Sequence, residues 1–336
     1  MGVLTKAQYL SANSGGGWVT TPYSYSSAAA LANFFGPYVD PTNLTVSSLS
    51  KQHTAGSWGK AASDQTLVPG LLSNPALHDR LRPITLGGGL AEPLAMHTLA
   101  PRKKAAGNTG NEILNYWNLW DYKQTLLSFV DEGAVDDLGV MPLLRRGVTN
   151  IVICLATHDN PDSTIKAFAE SEYALAGLFG AVPLNAKDAK GQPLKLHDTN
   201  SPATWNSMSQ VFPAEGFPAL FDQYKASFLQ GGAHIFNATY QVLPNSFHVV
   251  KGNYKVSVLW LLNGRSSQWE AALPQETQQW LAPKRNASSG PYRGYPNVYN
   301  VLQAPAQLVS LLSQQASWAV REKQSLVQDW VAAAAQ

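Results

Sequence analysis

FVDEGAVDDLGVMPLLRRGVTNIVICLA, residues 129–156, is the stretch on which the fold turns. Its last third, Val148 to Ala156, is a β-branched apolar run, the composition of a strand buried on both faces. Just upstream, Thr125 to Val130 reads as a shorter strand ending at Asp131, with a turn and a helix expected between the two strands. An aspartate at a strand end, followed two residues on by Gly133, presents its carboxylate in a loop that other backbone can approach closely. An Asx turn has the same appearance.

Outward from this stretch, Asp162 to Phe179 carries apolar residues at helical spacing, and Val256 to Leu262 reads as a second buried strand. Ala306 to Trp330 is helical, with leucines and valines recurring. Strands alternating with helices imply an α/β layered fold. Residues 36–110 are rich in Gly, Pro, Ser and Thr with weak periodicity, which marks a long loop-rich insertion or lid. One domain, 1–336, is expected to contain all of this.

Apolar residues make up 45% of the 336 and charged residues only 14%, a folded globular balance with a weakly charged surface. The net charge is +2, and the longest basic run is Arg102-Lys103-Lys104, so nothing resembles a nucleic-acid footprint. Ten tryptophans suit either a large core or apolar contacts with a lipid surface. The single cysteine, Cys154, excludes an intrachain disulfide and reads as a buried strand residue. With no membrane-crossing stretch and no signal-peptide pattern at Met1 to Ala12, a soluble and cytoplasmic chain is expected.

Near the N-terminus, Gln8 to Asn13 reads as a short strand that runs into Ser14-Gly-Gly-Gly17, with a helix able to begin at Trp18. A serine enclosed by glycines at a strand end lets the chain turn sharply and lifts the hydroxyl clear of a sheet. The amides of Gly15 and Gly16 would then sit at a helix start, where free N–H groups stabilise an acyl oxyanion. A glycine-rich linker would look the same in isolation.

Taken together, the two segments resemble the cytosolic phospholipase A2 and patatin-like phospholipase family. Tyr9-Leu-Ser-Ala-Asn-Ser14-Gly-Gly-Gly-Trp18 is similar to its nucleophile elbow, and Asp131 to Val152 to its second motif, in which aspartate, glycine, a Pro-Leu pair and Arg-Gly-Val lead into an apolar strand. Tyr254 to Asn263 with Trp269-Glu270, and Tyr295-Pro296 leading to Trp318, resemble its C-terminal half. The resemblance implies a central mixed β-sheet flanked by helices, with Ser14 as nucleophile and Asp131 as the base of a Ser-Asp dyad. It implies hydrolysis of fatty-acyl esters of phospholipids or lysophospholipids through an acyl-enzyme, with Trp18 and Arg146 at the substrate and Gly133 supporting the motif. No cofactor, catalytic metal or nucleic-acid partner follows from it, and a transient contact with a membrane surface does. Arg146 binds a phosphate, sets the Asp131 loop, or is a solvated helix-end cation. His158, shortly after the second-motif strand, is the alternative base or an ordinary loop histidine.

Three departures stand beside the matches. Ala12 replaces a glycine usual before the nucleophile, and Glu132 and Asp137 add negative charge beside the dyad. Ser14 also lies close to Met1, where the family has a glycine-rich oxyanion loop upstream, so an N-terminally incomplete chain is expected, with Leu86-Gly-Gly-Gly89 as a remote substitute. A catalytically silent relative that binds lipid or protein is the alternative reading.

Overall fold

The computed structural model describes residues 6–12, 36–52, 136–162, 164–182, 208–298 and 304–335, together with the backbone of two strands, β1 (Glu112–Asn118) and β2 (Lys123–Phe129). These two pair antiparallel, Glu112 opposite Phe129 and Asn118 opposite Lys123. The expected strand before Asp131 is therefore present, and its partner follows directly on the Gly-rich region.

A second sheet contains β3 (Asn150–Ala156), β4 (Ile235–Val242) and β5 (Tyr254–Asn263) in the order β3-β5-β4. β3 runs parallel to β5, with Asn150 opposite Ser257 and Ala156 opposite Asn263, and β4 runs antiparallel to β5. The fold is thus mixed α/β with a small mixed sheet. β5 is the central strand: Val256, Val258 and Trp260 enter one core and Leu259 the other. This is why its apolar run is nearly continuous.

β3 differs from the expectation. Its residues alternate, with Ile151, Ile153 and Leu155 buried and Val152 and Cys154 exposed, so it is covered on one face only. Dense surrounding atoms desolvate the Cys154 thiol and raise its pKa, but accessible surface decides which face a strand buries, and Cys154 is on the open one. The first strand expected, Gln8 to Asn13, does not form over the described residues 6–12: Tyr9 and Leu10 are exposed, and the segment joins neither sheet.

Helix α1 (Val46–Gln52) follows a 3-10 turn at Pro41–Asn43 that Asp40 caps. Helix α2 (Met141–Arg145) precedes β3; α3 (Ile165–Ser171) and α4 (Tyr173–Gly177) follow it; α5 (Gly216–Leu229) leads into β4. After β5 come α6 (Ser267–Ala272), α7 (Gln275–Arg285), α8 (Ala306–Glu322) and α9 (Gln324–Ala334). The helix expected over 306–330 is thus two, parted at Lys323. On one side of the sheet, α3, α4 and α5 supply Phe168, Leu175, Phe217 and Tyr224 to a core that includes Phe179, Phe212 and Trp260. On the other, Val327, Trp330 and Val331 of α9 cover Ile235 and Leu259.

A third apolar cluster joins distant parts of the chain. Leu44 and Leu49 are fully buried against Trp269, Leu281, Tyr295, Leu308 and Leu311. Thr277 Oγ1 donates to Leu44 O at 2.7 Å and Ser310 Oγ to Leu49 O at 2.8 Å. Residues 36–52, read above as the start of an insertion, are therefore part of the core beside α6, α7 and α8. The remainder of that insertion, 53–110, lies outside the described residues.

Candidate active site

Ser14, Gly15, Gly16, Trp18, Asp131 and Gly133 lie outside the described residues, so the candidate site is built from the segments on either side of them. The second motif resumes at Asp136, which is buried and structural. Its Oδ1 accepts from Val140 N at 2.9 Å and its Oδ2 from Met141 N at 3.0 Å, holding the entry to α2. Gly139, in this turn, has φ +62, and a Cβ there would stand 3.0 Å from Ser11 Oγ and 3.2 Å from Ala12 N. Both the left-handed backbone and the close approach require glycine. The segment that leads to Ser14 is thus seated on the segment that follows Asp131.

Three residues earlier along the same strand of chain, the Tyr9 ring faces Arg146, whose Cζ is 5.9 Å from its centroid. Arg146 is exposed at the end of α2 and donates from Nη1 to Pro142 O at 2.8 Å. Of the roles expected for it, a helix-end cation with an aromatic neighbour is what the described residues hold. Arg146 lies just before β3, and Asp137, two residues from Gly139, acts electrostatically on His158 just after β3. Tyr9 is thus beside the residue that ends α2 and Ala12 beside Gly139, while residues 157–160 finish the C-terminal end of β3.

That C-terminal end is a polar network. Thr157 Oγ1 donates to Asn263 O, joining the ends of the parallel pair β3 and β5, and accepts from Asn297 Nδ2 at 2.8 Å and Tyr224 Oη at 3.1 Å. Asn160 Oδ1 accepts from Arg265 N at 3.0 Å, and Asn263 Nδ2 donates to Pro296 O at 2.8 Å. Arg265 pairs with Glu270 at 2.9 Å, and Arg285 reaches the same carboxylate at 2.6 Å. The ends of parallel strands, where connections diverge, are where α/β sheets place ligands.

His158 is held here by Glu172, a residue only 2% exposed. Glu172 Oε1 accepts from the backbone N–H groups of His158 and, at 3.2 Å, of Asp159, while Oε2 lies 3.2 Å from His158 Nδ1. The Glu172 hydrogen bond raises the His158 pKa above its ordinary 6.5 against a smaller opposing effect of burial, and Asp137 and Asp159 add to the rise. His234 is different: its Nδ1 shares a 2.7 Å hydrogen bond with Ser227 Oγ, its Nε2 donates to Arg265 O at 3.0 Å, and burial lowers its pKa.

Glu172 and Asn160 were not singled out in the sequence. Asn160 carries no local signal. Glu172 carries one: with Phe168, Leu175 and Phe179 it shares the buried stripe of a helical pattern, and a carboxylate on such a stripe needs a partner. Among the described residues, no group of three His, Cys, Asp or Glu is placed to hold a metal ion, and no helix is long and apolar enough to cross a membrane. The chain matches no family model, and no curated protein and no solved structure matches it.

Proposed function

We propose that this chain is a serine acyl hydrolase of the cytosolic phospholipase A2 and patatin type, cleaving fatty-acyl esters of phospholipids or lysophospholipids. Ser14 attacks the ester carbonyl with Asp131 as its acidic partner, an acyl-enzyme forms, and water releases the fatty acid. The reading takes the layered, mixed-sheet fold of that family with it.

The contact that carries it is the one between Ser11–Ala12 and Gly139. The reading needs two stretches of chain, far apart in sequence, to meet, and their described flanks do meet. Ala12 stands two residues before Ser14, and two residues of chain reach at most about 7 Å. Gly15 and Gly16 supply backbone amides after the nucleophile, as an oxyanion requires.

The test is labelling of the full chain with a fluorophosphonate, which phosphonylates an activated serine. Labelling is expected at Ser14, absent in Ser14→Ala, and slower in Asp131→Asn by about 10²–10⁴-fold, the usual worth of a general base. Labelling that is absent from the wild-type chain, or indifferent to Ser14, returns the chain to the silent, lipid- or protein-binding reading.

A further inference from the structure

The tip of the β4–β5 hairpin holds out side chains that a folded chain ordinarily covers. Ser246 to Val249 make the turn beyond the Asn245–Val250 bridge, and Phe247 and Val249 within it are exposed over more than half their surface. The turn is nonetheless firmly held. Asn245 is buried beneath it, with Nδ2 donating to Met208 O at 2.9 Å and Gln210 O at 3.0 Å and Oδ1 accepting from His248 N at 3.0 Å, and Val250 is buried beside it. Val249 has φ +57, a left-handed backbone that β-branched residues rarely adopt. Glycine or asparagine would make the same turn with less strain, so the exposed isopropyl group serves something other than the turn.

Cations stand around this tip. Tyr254, the first residue of β5, donates from Oη to Leu144 O at 2.8 Å, which fixes the end of α2 beside the base of the hairpin. Arg145 comes next in the chain, close enough to act electrostatically on His248 in the turn. Arg146, Lys251 and Lys255 are exposed at the same end of the sheet, and the half-exposed Tyr9 ring lies against Arg146. The segments that build this end, 140–151, 208–215 and 241–256, hold these four cations and a single carboxylate, that of Glu215. Among the described residues none of the four cations is paired with a carboxylate.

We propose that this hairpin tip is a docking surface for an anionic lipid membrane. Phe247 and Val249 enter the boundary between headgroups and acyl chains, while Arg145, Arg146, Lys251 and Lys255 face the anionic headgroups. An apolar tip with a cationic margin matches the two layers of such an interface, one apolar and one charged. A stable protein partner would need about 800 Å² on each side, with charge depleted at the centre, and two side chains on a four-residue turn supply far less. A fluid bilayer requires no matching shape. The Asn245 anchor holds the tip in one conformation before it meets lipid, so little ordering cost opposes docking. Neither Ser14 nor Asp131 takes part, and the surface binds lipid whether or not the chain hydrolyses it.

Flotation of the full chain with vesicles tests this. Vesicles of phosphatidylcholine mixed with phosphatidylserine are expected to carry the protein up the gradient, and vesicles of phosphatidylcholine alone to leave most of it behind. Replacing Arg145 and Lys251 together by glutamine should weaken binding about 25-fold, since each cation near an anionic surface contributes about fivefold. Salt at about 1 M, which shortens the screening length to about 3 Å, should weaken the wild-type chain in the same way. Phe247→Ser should weaken binding by about tenfold. Val249→Gly is the most telling variant: its binding should fall while its melting temperature rises, a combination that misfolding does not produce. Binding that ignores phosphatidylserine, or that survives intact in both Phe247→Ser and the Arg145 and Lys251 double replacement, overturns the assignment. So does a lipid-free dimer in sedimentation that Phe247→Ser dissolves, which would make a second copy the occupant. Each of these outcomes is read without turnover and leaves the Ser14 reading untouched.

Discussion

The two ends of the three-stranded sheet are finished in opposite ways. At the C-terminal end of β3 and β5, Thr157, Asn263 and Asn297 are bonded to one another, Asn160 accepts from the Arg265 backbone, and a buried carboxylate holds an imidazole. At the other end, the β4–β5 hairpin turns over residues 243–253 and exposes Phe247 (56%) and Val249 (61%). Its order comes from Asn245, whose Nδ2 donates to Met208 O and Gln210 O and whose Oδ1 accepts from His248 N. The histidine at that end, His248, is lowered by burial and by Arg145, the reverse of His158. The difference follows from topology. A hairpin joins its own two strands directly, whereas divergent crossovers after parallel strands leave groups that find partners across the chain, and those groups can do chemistry.

The sharpest way to break this contrast is to remove the buried carboxylate. Glu172→Ala strands two backbone amides and the imidazole, and is expected to lower unfolding stability by about 3–5 kcal/mol, as when one partner of a buried pair is lost. Urea denaturation at neutral pH measures it; a loss no larger than that of a surface substitution would make the pair ornamental. Thr157→Val keeps the shape and removes the hydroxyl that Asn263 O and Asn297 Nδ2 share. The expected cost is about 1–3 kcal/mol, the penalty of leaving buried groups unbonded. At the opposite end the sign reverses. Val249 is β-branched at φ +57 and exposed, so Val249→Gly relieves a strained backbone and should raise stability by about 1 kcal/mol.

How far these features were legible varies with the range of the interaction that sets them. β5 was read correctly because burial on both faces leaves a continuous apolar run. β3 was misread because Ile151-Val152-Ile153 is apolar on both faces while only one is covered, and composition alone does not tell a covered face from an open one. The break at Lys323 has no proline or glycine to announce it. Residues 36–52 looked like loop because α1 is polar in most positions, yet Leu44 and Leu49 are fixed by helices more than two hundred residues away. Of the candidate site, His158 was visible as a position, but its role depends on Glu172, and Asn160 depends on Arg265. Pairings of this kind are set by tertiary contact rather than by local pattern.

The smallest effect is spectroscopic and compares the histidines directly. In an NMR titration, His158 is expected to titrate above 6.5, and His234 and His248 below it. Linkage gives the pair opposite consequences for stability. The contribution of His158 is complete below about 6.5 and is lost as pH rises through its folded value. That of His234 is present above about 6.5 and is lost as pH falls toward its own. Replacing each in turn by glutamine should tilt the stability–pH curve in opposite directions; a common tilt would show that the two sites are not electrostatically distinct.

The central claim is that the seam at Gly139 joins a serine to an aspartate, and turnover of the lipid itself tests it most directly. Fatty-acid release from phosphatidylcholine and lysophosphatidylcholine vesicles should be measured for the full chain, for Ser14→Ala and for Asp131→Asn. Release by the wild-type chain at least about a thousandfold above Ser14→Ala, with Asp131→Asn similarly depressed, is the predicted result. Equal release by all three, or none above the rate without protein, would contradict it.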